Sequence, residues 1–517
     1  MPPASRTRAR DDMAPFGRPL FEDPAARALS RVGVVDVGSN SVRLVVFDGA
    51  ARSPAYFYNE KIMCALGRDM GETGRLNPEG RARALAALRR FQLLARGMGL
   101  APLTAVATAA VREAGDGPDF CAQVERETGL KLWVIDGEEE ARLSAQGVLL
   151  GWPDARGLVC DIGGSSMELA EVGGGRVGRR LTSPLGPLKL QGIGGGQKGR
   201  RDHIRAVIED LAERIGTHHK RLFLVGGSWR AIARLDMERR GYPLHVLHEY
   251  RMSPKSARDT LKWIARHDPA ELGARTGTSQ TRMALVPLAG EVLRRLIKTF
   301  GPKEIALSSY GIREGMLYEQ MPERARRRDP LIEACRFAES RDARRPGFGR
   351  ALYGFIRPVF RNERPETRRL IKAACLLHDV TWRAHPDYRA EVCFDNATRA
   401  NLGGLTHEER VWLGLALLHR YKKNRDGTRF ADLFALISER RALQAEAVGK
   451  AMRFGAMFSV EDPETVARLE WMPKKRVLKL GLTPTGNDLF GEVAQARFKA
   501  LAQVLGAETE ISRLAGR

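Results

Sequence analysis

Two Gly/Ser-rich turns, each opened by an aspartate at the end of an apolar run, constrain the fold more than any other feature of this sequence. They lie in VVDVGSNSVRLVVFDG (34–49) and VCDIGGSSMELAEV (159–172). β-Branched runs on both sides of a tight polar turn predict strand, turn, strand. The turns themselves read Asp36-Val37-Gly38-Ser39-Asn40-Ser41 and Asp161-Ile162-Gly163-Gly164-Ser165-Ser166. Glycine lets a backbone come close to a phosphate, and the exposed N–H and hydroxyl groups then donate to its oxygens. An aspartate at the mouth can hold a divalent cation against the same group. Two copies of one design imply two half-domains closing on one phosphorylated ligand.

The rest of the first 320 residues alternates strand and helix, which predicts an α/β region. Helical spacing marks 79–97, 103–114 reads as a strand running into a turn, 131–137 as another strand, and 138–151 as helix. ATAAVREA (107–114) is expected as a strand running into a turn. From about 326 to 460 Leu/Ala stripes predict helices, followed by a hairpin in 470–484 and an amphipathic helix at 489–506. The domain scheme is therefore a basic arm at 1–30, half-domains at 31–150 and 151–325, and a helical domain at 326–517. The Arg-rich stretch 321–330 is the expected linker.

Lys and Arg total 85 against 62 Asp and Glu, a formal charge of +23. That excess suits a polyanionic partner or a set of solvated Arg-rich faces. Aromatics are 7% and no RNA-binding motif occurs, which disfavours nucleic acid. The six cysteines are scattered without CxxC or zinc spacing and read as reduced thiols of a cytoplasmic protein. No apolar stretch is long enough to span a bilayer. The polar, basic N-terminus lacks an apolar signal-peptide core and is expected as a flexible arm.

Taken in order, these motifs resemble the exopolyphosphatase/guanosine pentaphosphate phosphatase (Ppx/GppA) family. The two Asp turns are similar to its phosphate loops. ATAAVREA and GEEEARLSAQGV (137–148) resemble its Arg loop and its Glu-Ala-Arg helix. LVGGSWRAIA (224–233) and SSYGIREGMLYE (308–319) match its later glycine turns. The resemblance covers about 31–320 and implies two RNase-H-like halves of the actin, sugar-kinase and heat-shock-chaperone ATPase type. The C-terminal part resembles the family's all-α HD-like domain.

The resemblance implies hydrolysis of a terminal phosphoanhydride, where catalysis is mostly positioning and charge neutralisation. It makes Glu140 the catalytic base, with Glu139 as the fallback, and gives Asp36 and Asp161 catalytic roles. Asp36, Asp161 and Glu168 would hold Mg²⁺, with a monovalent cation as a further cofactor. Ser39, Asn40, Ser41, Gly163, Gly164, Ser165 and Ser166 would cradle phosphate. Arg43 either adds charge or points outward. Arg112 either grips phosphate or pairs with Glu113 or another neighbour. Gly226 and Gly227 stand where related kinases hold adenosine, or simply form a strand-to-helix turn.

His378-Asp379 looks like an HD dyad, but its accompanying histidines are out of place, so it is expected to be a relic without catalytic metal. Basic clusters at 324–328, 420–425 and 474–476 could track a long anion. The leading expectation is processive hydrolysis of inorganic polyphosphate by a homodimer. Its alternatives are pppGpp hydrolysis, an ATP-dependent kinase or ATPase of the same fold, and a non-catalytic polyphosphate or RNA binder. The intact set of Asp36, Glu140, Asp161 and Glu168 argues against the last.

Overall fold

The duplicated strand-turn-strand pattern becomes two sheets of the same order. The computed structural model describes residues 31–48 and 52–514 and divides into two units at Pro330/Leu331. The expected arm at 1–30 lies outside the described residues. In the first sheet β1 (Arg31–Val37), β2 (Ser41–Asp48) and β3 (Tyr56–Met63) are antiparallel neighbours. β4 (Thr104–Ala107) and β5 (Leu132–Val134) continue parallel to β1, giving the order β3-β2-β1-β4-β5. β1 is central and buried on both faces, so residues 32–35 are an unbroken apolar run rather than alternating. Val32 and Val34 face one core; Val35 and Val37 face another.

The second sheet repeats the plan with β6 (Gly157–Ile162), β7 (Met167–Gly173), β8 (Arg176–Ser183), β9 (Arg221–Val225) and β11 (Glu304–Leu307). A two-residue strand, β10 (Arg251–Met252), is added antiparallel at the β11 edge. Both sheets therefore have RNase-H-like topology: a three-strand antiparallel meander followed by parallel strands beyond its first member. β1 and β6, the strands that carry Asp36 and Asp161 next to their last residues, are equivalent.

The helix Gly137–Gly151 starts at Asp136, whose side chain accepts from the Glu139 N–H at 2.7 Å. The sequence scheme placed this helix in the first half, but it contacts β7 and β8 and the helix Ile312–Glu319. These two helices cross closely because glycines face the contact. A Cβ on Gly147 would meet the Gly311 backbone, and one on Gly315 would meet the Leu143 carbonyl. Their apolar faces, Leu143, Val148, Met316 and Leu317, join both sheets in one central core. Arg112 is another departure: it lies on a short helix, Ala109–Glu113, because the chain turns helical directly after Thr108.

The second unit has the helices Pro365–Leu377, His407–His419 and Glu439–Phe458 around buried Trp412 and Phe454. The expected hairpin forms β12 (Ala467–Met472) and β13 (Val477–Leu482). After the helix Glu492–Val504, β14 (Glu508–Arg513) adds parallel to β13, a strand the sequence reading lacked. All six cysteines are free thiols, five of them buried. Among the described residues no helix is long and apolar enough to cross a membrane.

Candidate active site

The two Asp turns are hairpins of the same geometry that meet across a cavity in the α/β unit. The Gly38 N–H donates to the Ser41 carbonyl at 3.0 Å, and the Gly163 N–H to the Ser166 carbonyl at 2.9 Å. The Ser165 hydroxyl donates to Ser39 Oγ at 3.1 Å, so the tips touch. Ser39, Asn40, Ser41, Gly163, Gly164, Ser165 and Ser166 all line the cavity, which measures about 190 Å³. Gly226 and Gly227 line it too, at the start of the helix Gly227–Arg240. Gly226 has φ 112°, a backbone that favours glycine, and lies against the Ile162 carbonyl beneath the Asp161 turn. The free N–H groups of that helix end favour negative charge in the cavity.

Asp36, Glu140 and Asp161 reach the cavity wall. Burial raises the pKa of each carboxyl, most strongly for Glu140, which the charges of Glu168 and Asp161 push further. The Ser144 hydroxyl donates to Asp161 Oδ2, and Arg313 Nη1 to Asp36 Oδ2 at 3.2 Å. Both contacts orient a carboxylate and leave its other oxygen free. Glu140 Oε2 is buried and has no hydrogen-bond partner. Glu139 is held by Arg142 at 2.8 and 2.6 Å, and does not line the cavity.

Glu168 stands behind the wall rather than on it. It lies opposite Asp161 in the β6–β7 register and is 2% exposed. It accepts from Thr182 at 3.1 Å, and burial pushes its carboxyl up to about 8. Arg112 is also off the wall: its Nη1 donates to the Ile135 carbonyl at 2.7 Å and lies 3.6 Å from Glu140 Oε2. Of its two expected roles, pairing with neighbours is the one present: its Nη2 also lies 3.9 Å from Glu113. Arg43 does line the cavity, while its Nε donates to Asn59 at 2.8 Å.

Sequence reasoning missed four cations here: Lys61, Arg230, Arg282 and Arg313. Arg313 and Arg230 sit inside motifs already singled out, SSYGIREGMLYE and LVGGSWRAIA, so their position beside a glycine turn was the available signal. Lys61 and Arg282 carry no local signal. Arg313 is fixed because Glu314 accepts from the Gly311 N–H at 2.7 Å and from Tyr56 at 2.8 Å, which locks the start of its helix. Desolvation and the surrounding arginines pull Lys61 down to about 8 and Arg230 to about 10. Such mutual repulsion is relieved by an anion with several charges.

The donor set fits a hard divalent cation: oxygen ligands only, with buried Glu140 Oε2 and Glu168 Oε2 lacking hydrogen-bond partners. Asp36, Asp161 and Glu168 do not converge as a closed cage. Among the described residues only Glu171, His218 and His219 bring three such ligand atoms within 4.8 Å of one another. An open arrangement leaves coordination positions to water and to phosphate oxygens.

The sequence profile of the Ppx/GppA phosphatase family matches residues 45–324, and that of the domain described as "Exopolyphosphatase, C-terminal" matches 353–512. Exopolyphosphatase 1 of Mycobacterium leprae is 26% identical over 308 residues, covering 57% of this chain and 91% of that protein. Exopolyphosphatase 1 of Mycobacterium bovis is 34% identical over 163 residues, 31% of this chain and 47% of that protein. The crystal structure of an exopolyphosphatase from Cytophaga hutchinsonii covers 56% of this chain and 97% of its own at 23% identity and a TM-score of 0.51, a likeness of fold. A profile match that starts within β2 and runs through more than half of the sequence decides the assignment: the chain belongs to the Ppx/GppA phosphatase family.

Proposed function

We propose that the chain is an exopolyphosphatase that removes terminal phosphates from inorganic polyphosphate, processively and with Mg²⁺. Membership of the family makes it a phosphoanhydride hydrolase; polymer, processivity and metal belong to the proposal. The observation that carries it is the crowding of Arg43, Lys61, Arg230, Arg282 and Arg313 around one cavity floored by the two phosphate turns. So many cations suit a run of adjacent phosphates better than a single one.

In this reading the Ser39–Ser41 and Gly163–Ser166 turns bind the oxygens of the terminal phosphate. Arg313 and Arg230 neutralise charge as it shifts towards the leaving phosphate. Glu140 Oε2, which has no hydrogen-bond partner, takes the proton of the attacking water. Arg112, tethered to Ile135, holds Glu140 in place. Mg²⁺ would be held by Asp36 and Asp161, directly or through water, with Glu168 behind them, and would polarise phosphoryl oxygens. The oxygen-rich turns also suit a monovalent cation. A cytoplasmic homodimer joined through the helical units belongs to the same reading.

The test is phosphate release measured side by side on long polyphosphate, tripolyphosphate, pppGpp and ATP. Long polyphosphate should give the highest kcat/KM. A preference for pppGpp would replace the proposal with guanosine pentaphosphate hydrolysis. A preference for ATP would move the chain to the kinase and ATPase class of the same fold.

A further inference from the structure

The helical unit holds a second cavity, of about 500 Å³, whose charge is the reverse of what its sequence motif suggests. His378 and Asp379, the pair that a metal phosphohydrolase would use, stand on its wall. Beside them are Arg344, Arg345, Arg389, Arg420 and Arg453. Among the described residues Asp379 is the only carboxylate on the wall, and Arg344 already grips both its oxygens at 2.8 and 2.7 Å. His378 is 4% exposed, with Nδ1 2.8 Å from the Cys375 carbonyl. Burial, then the charge of Arg420, pushes it down to about 4, so it is neutral at pH 7. A metal cation entering here would meet five guanidinium groups and one carboxylate that is already paired.

An anion would meet unused donors. Arg345 and Arg389 donate to backbone carbonyls, of Val460 and of Trp382 and Ala384. Arg420 and Arg453 make no ion pair among the described residues. Arg420 is 6% exposed, lies 4.7 Å over the Tyr421 ring, and has a buried Nε without an acceptor. Burying a guanidinium without a counter-charge is costly, and two facing one cavity compound the cost. A bound anion would remove it, and the fork of each guanidinium matches a phosphate edge. The rest of the wall is apolar: Phe348, Tyr421, Ala456, Met457 and Val460. No residue is shared with the cavity of the aspartate turns.

We infer that this cavity binds the phosphate tail of a small polyphosphorylated anion, with Arg420 and Arg453 as its principal donors. Two sources share that chemistry. One is an inorganic oligophosphate. The other is a nucleoside triphosphate, whose flat base would lie against Phe348 and Tyr421.

ATP and inorganic tripolyphosphate present the same triphosphate with and without a base. Each is titrated calorimetrically into the full-length protein in EDTA, and then into Arg420→Gln and Arg453→Gln. One binding event should weaken at least tenfold in either variant. If that event favours ATP, the occupant is a nucleotide; if it favours tripolyphosphate or neither, the occupant is inorganic. Melting temperatures certify the fold, and half-buried Arg453 carries the test if Arg420→Gln does not fold. The inference is overturned if neither substitution moves any isotherm. It is equally overturned if Mn²⁺ alone, titrated without EDTA, binds the wild type and His378→Asn abolishes that binding.

Discussion

Single residues divide the chemistry of the cleft unequally. Among the described residues Glu140 is the only carboxylate that both lines the cavity and keeps a buried oxygen without a hydrogen-bond partner. Glu140→Gln keeps its shape and cannot accept a proton, so turnover should fall about 100- to 10,000-fold while polyphosphate binding persists. Near-normal phosphate release would end its role as the base. Asp36→Asn and Asp161→Asn each remove a charge from the metal site, so the Mg²⁺ concentration for half-maximal rate should rise steeply. An unchanged Mg²⁺ titration would make both residues turn caps. In the helical unit, His378 has a folded pKa near 4 against 6.5 for the free side chain. The unfolded chain then binds more protons between those values, so stability is complete above about pH 6.5 and is lost as pH falls towards 4. Asp379, held below its ordinary value by Arg344 despite burial, adds a loss in the same direction at lower pH. The wild type should lose about 2 kcal/mol relative to His378→Asn between pH 7 and pH 5, read from urea midpoints. A difference that stays flat with pH would show that His378 titrates normally.

At the level of elements, the hairpins were legible and the way helices meet was not. A β-branched run, a glycine turn and a second run leave few alternatives to β1–β2 and β6–β7. Glu140 was singled out only by the resemblance, one residue before Ala141-Arg142, and the structure brings it to the cavity wall. That this helix lies on β7 and β8 depends on which glycines face another backbone, a tertiary property with no local signature. β14 was missed because its residues are mostly exposed and carry no burial pattern. Spacing left Arg112 two readings, and the one present is pairing with neighbours, Glu113 and Glu140, beside a carbonyl 23 residues away that spacing does not reveal. The close crossing gives its own test. Gly315→Ala would drive a methyl into the Leu143 carbonyl, and overpacking of this kind costs about 1–3 kcal/mol. Because the same helix begins at Ile312 and carries Arg313, kcat should drop as well as the urea midpoint. Wild-type values for both would mean that the helices separate freely and that the central core does not position Arg313.

For the whole molecule, the question is what the helical unit adds to a cleft that the α/β unit already completes. Met321 and Ala325 are 1% and 3% exposed within the central core, so a cut in the Arg-rich stretch would open it. A chain ending at Pro330 keeps that core and should fold and hydrolyse tripolyphosphate. It should lose affinity for long polyphosphate if the polymer also touches the helical unit. Salt dependence counts such contacts. Each phosphate neutralised by Lys or Arg releases counterion, which steepens the log–log slope by about 0.7 for a flexible single strand. The expected track needs correction at its ends. Arg425 is paired with Glu439 at 2.6 Å, and Arg420 is turned into the second cavity, so neither belongs to it. Lys422, Lys423, Lys474 and Lys475 make no ion pair among the described residues, and the last two form the tip of the β12–β13 turn. Replacing these four by Gln should lower the slope for long polyphosphate by up to about 3 and leave tripolyphosphate unchanged. The measurement uses inactive Glu140→Gln protein, so that the long ligand stays long. Equal slopes for the two ligands before any lysine is replaced would mean that binding ends at the cleft. A short nucleotide such as pppGpp would then fit the cavity of Asp36 and Asp161 better than a polymer does.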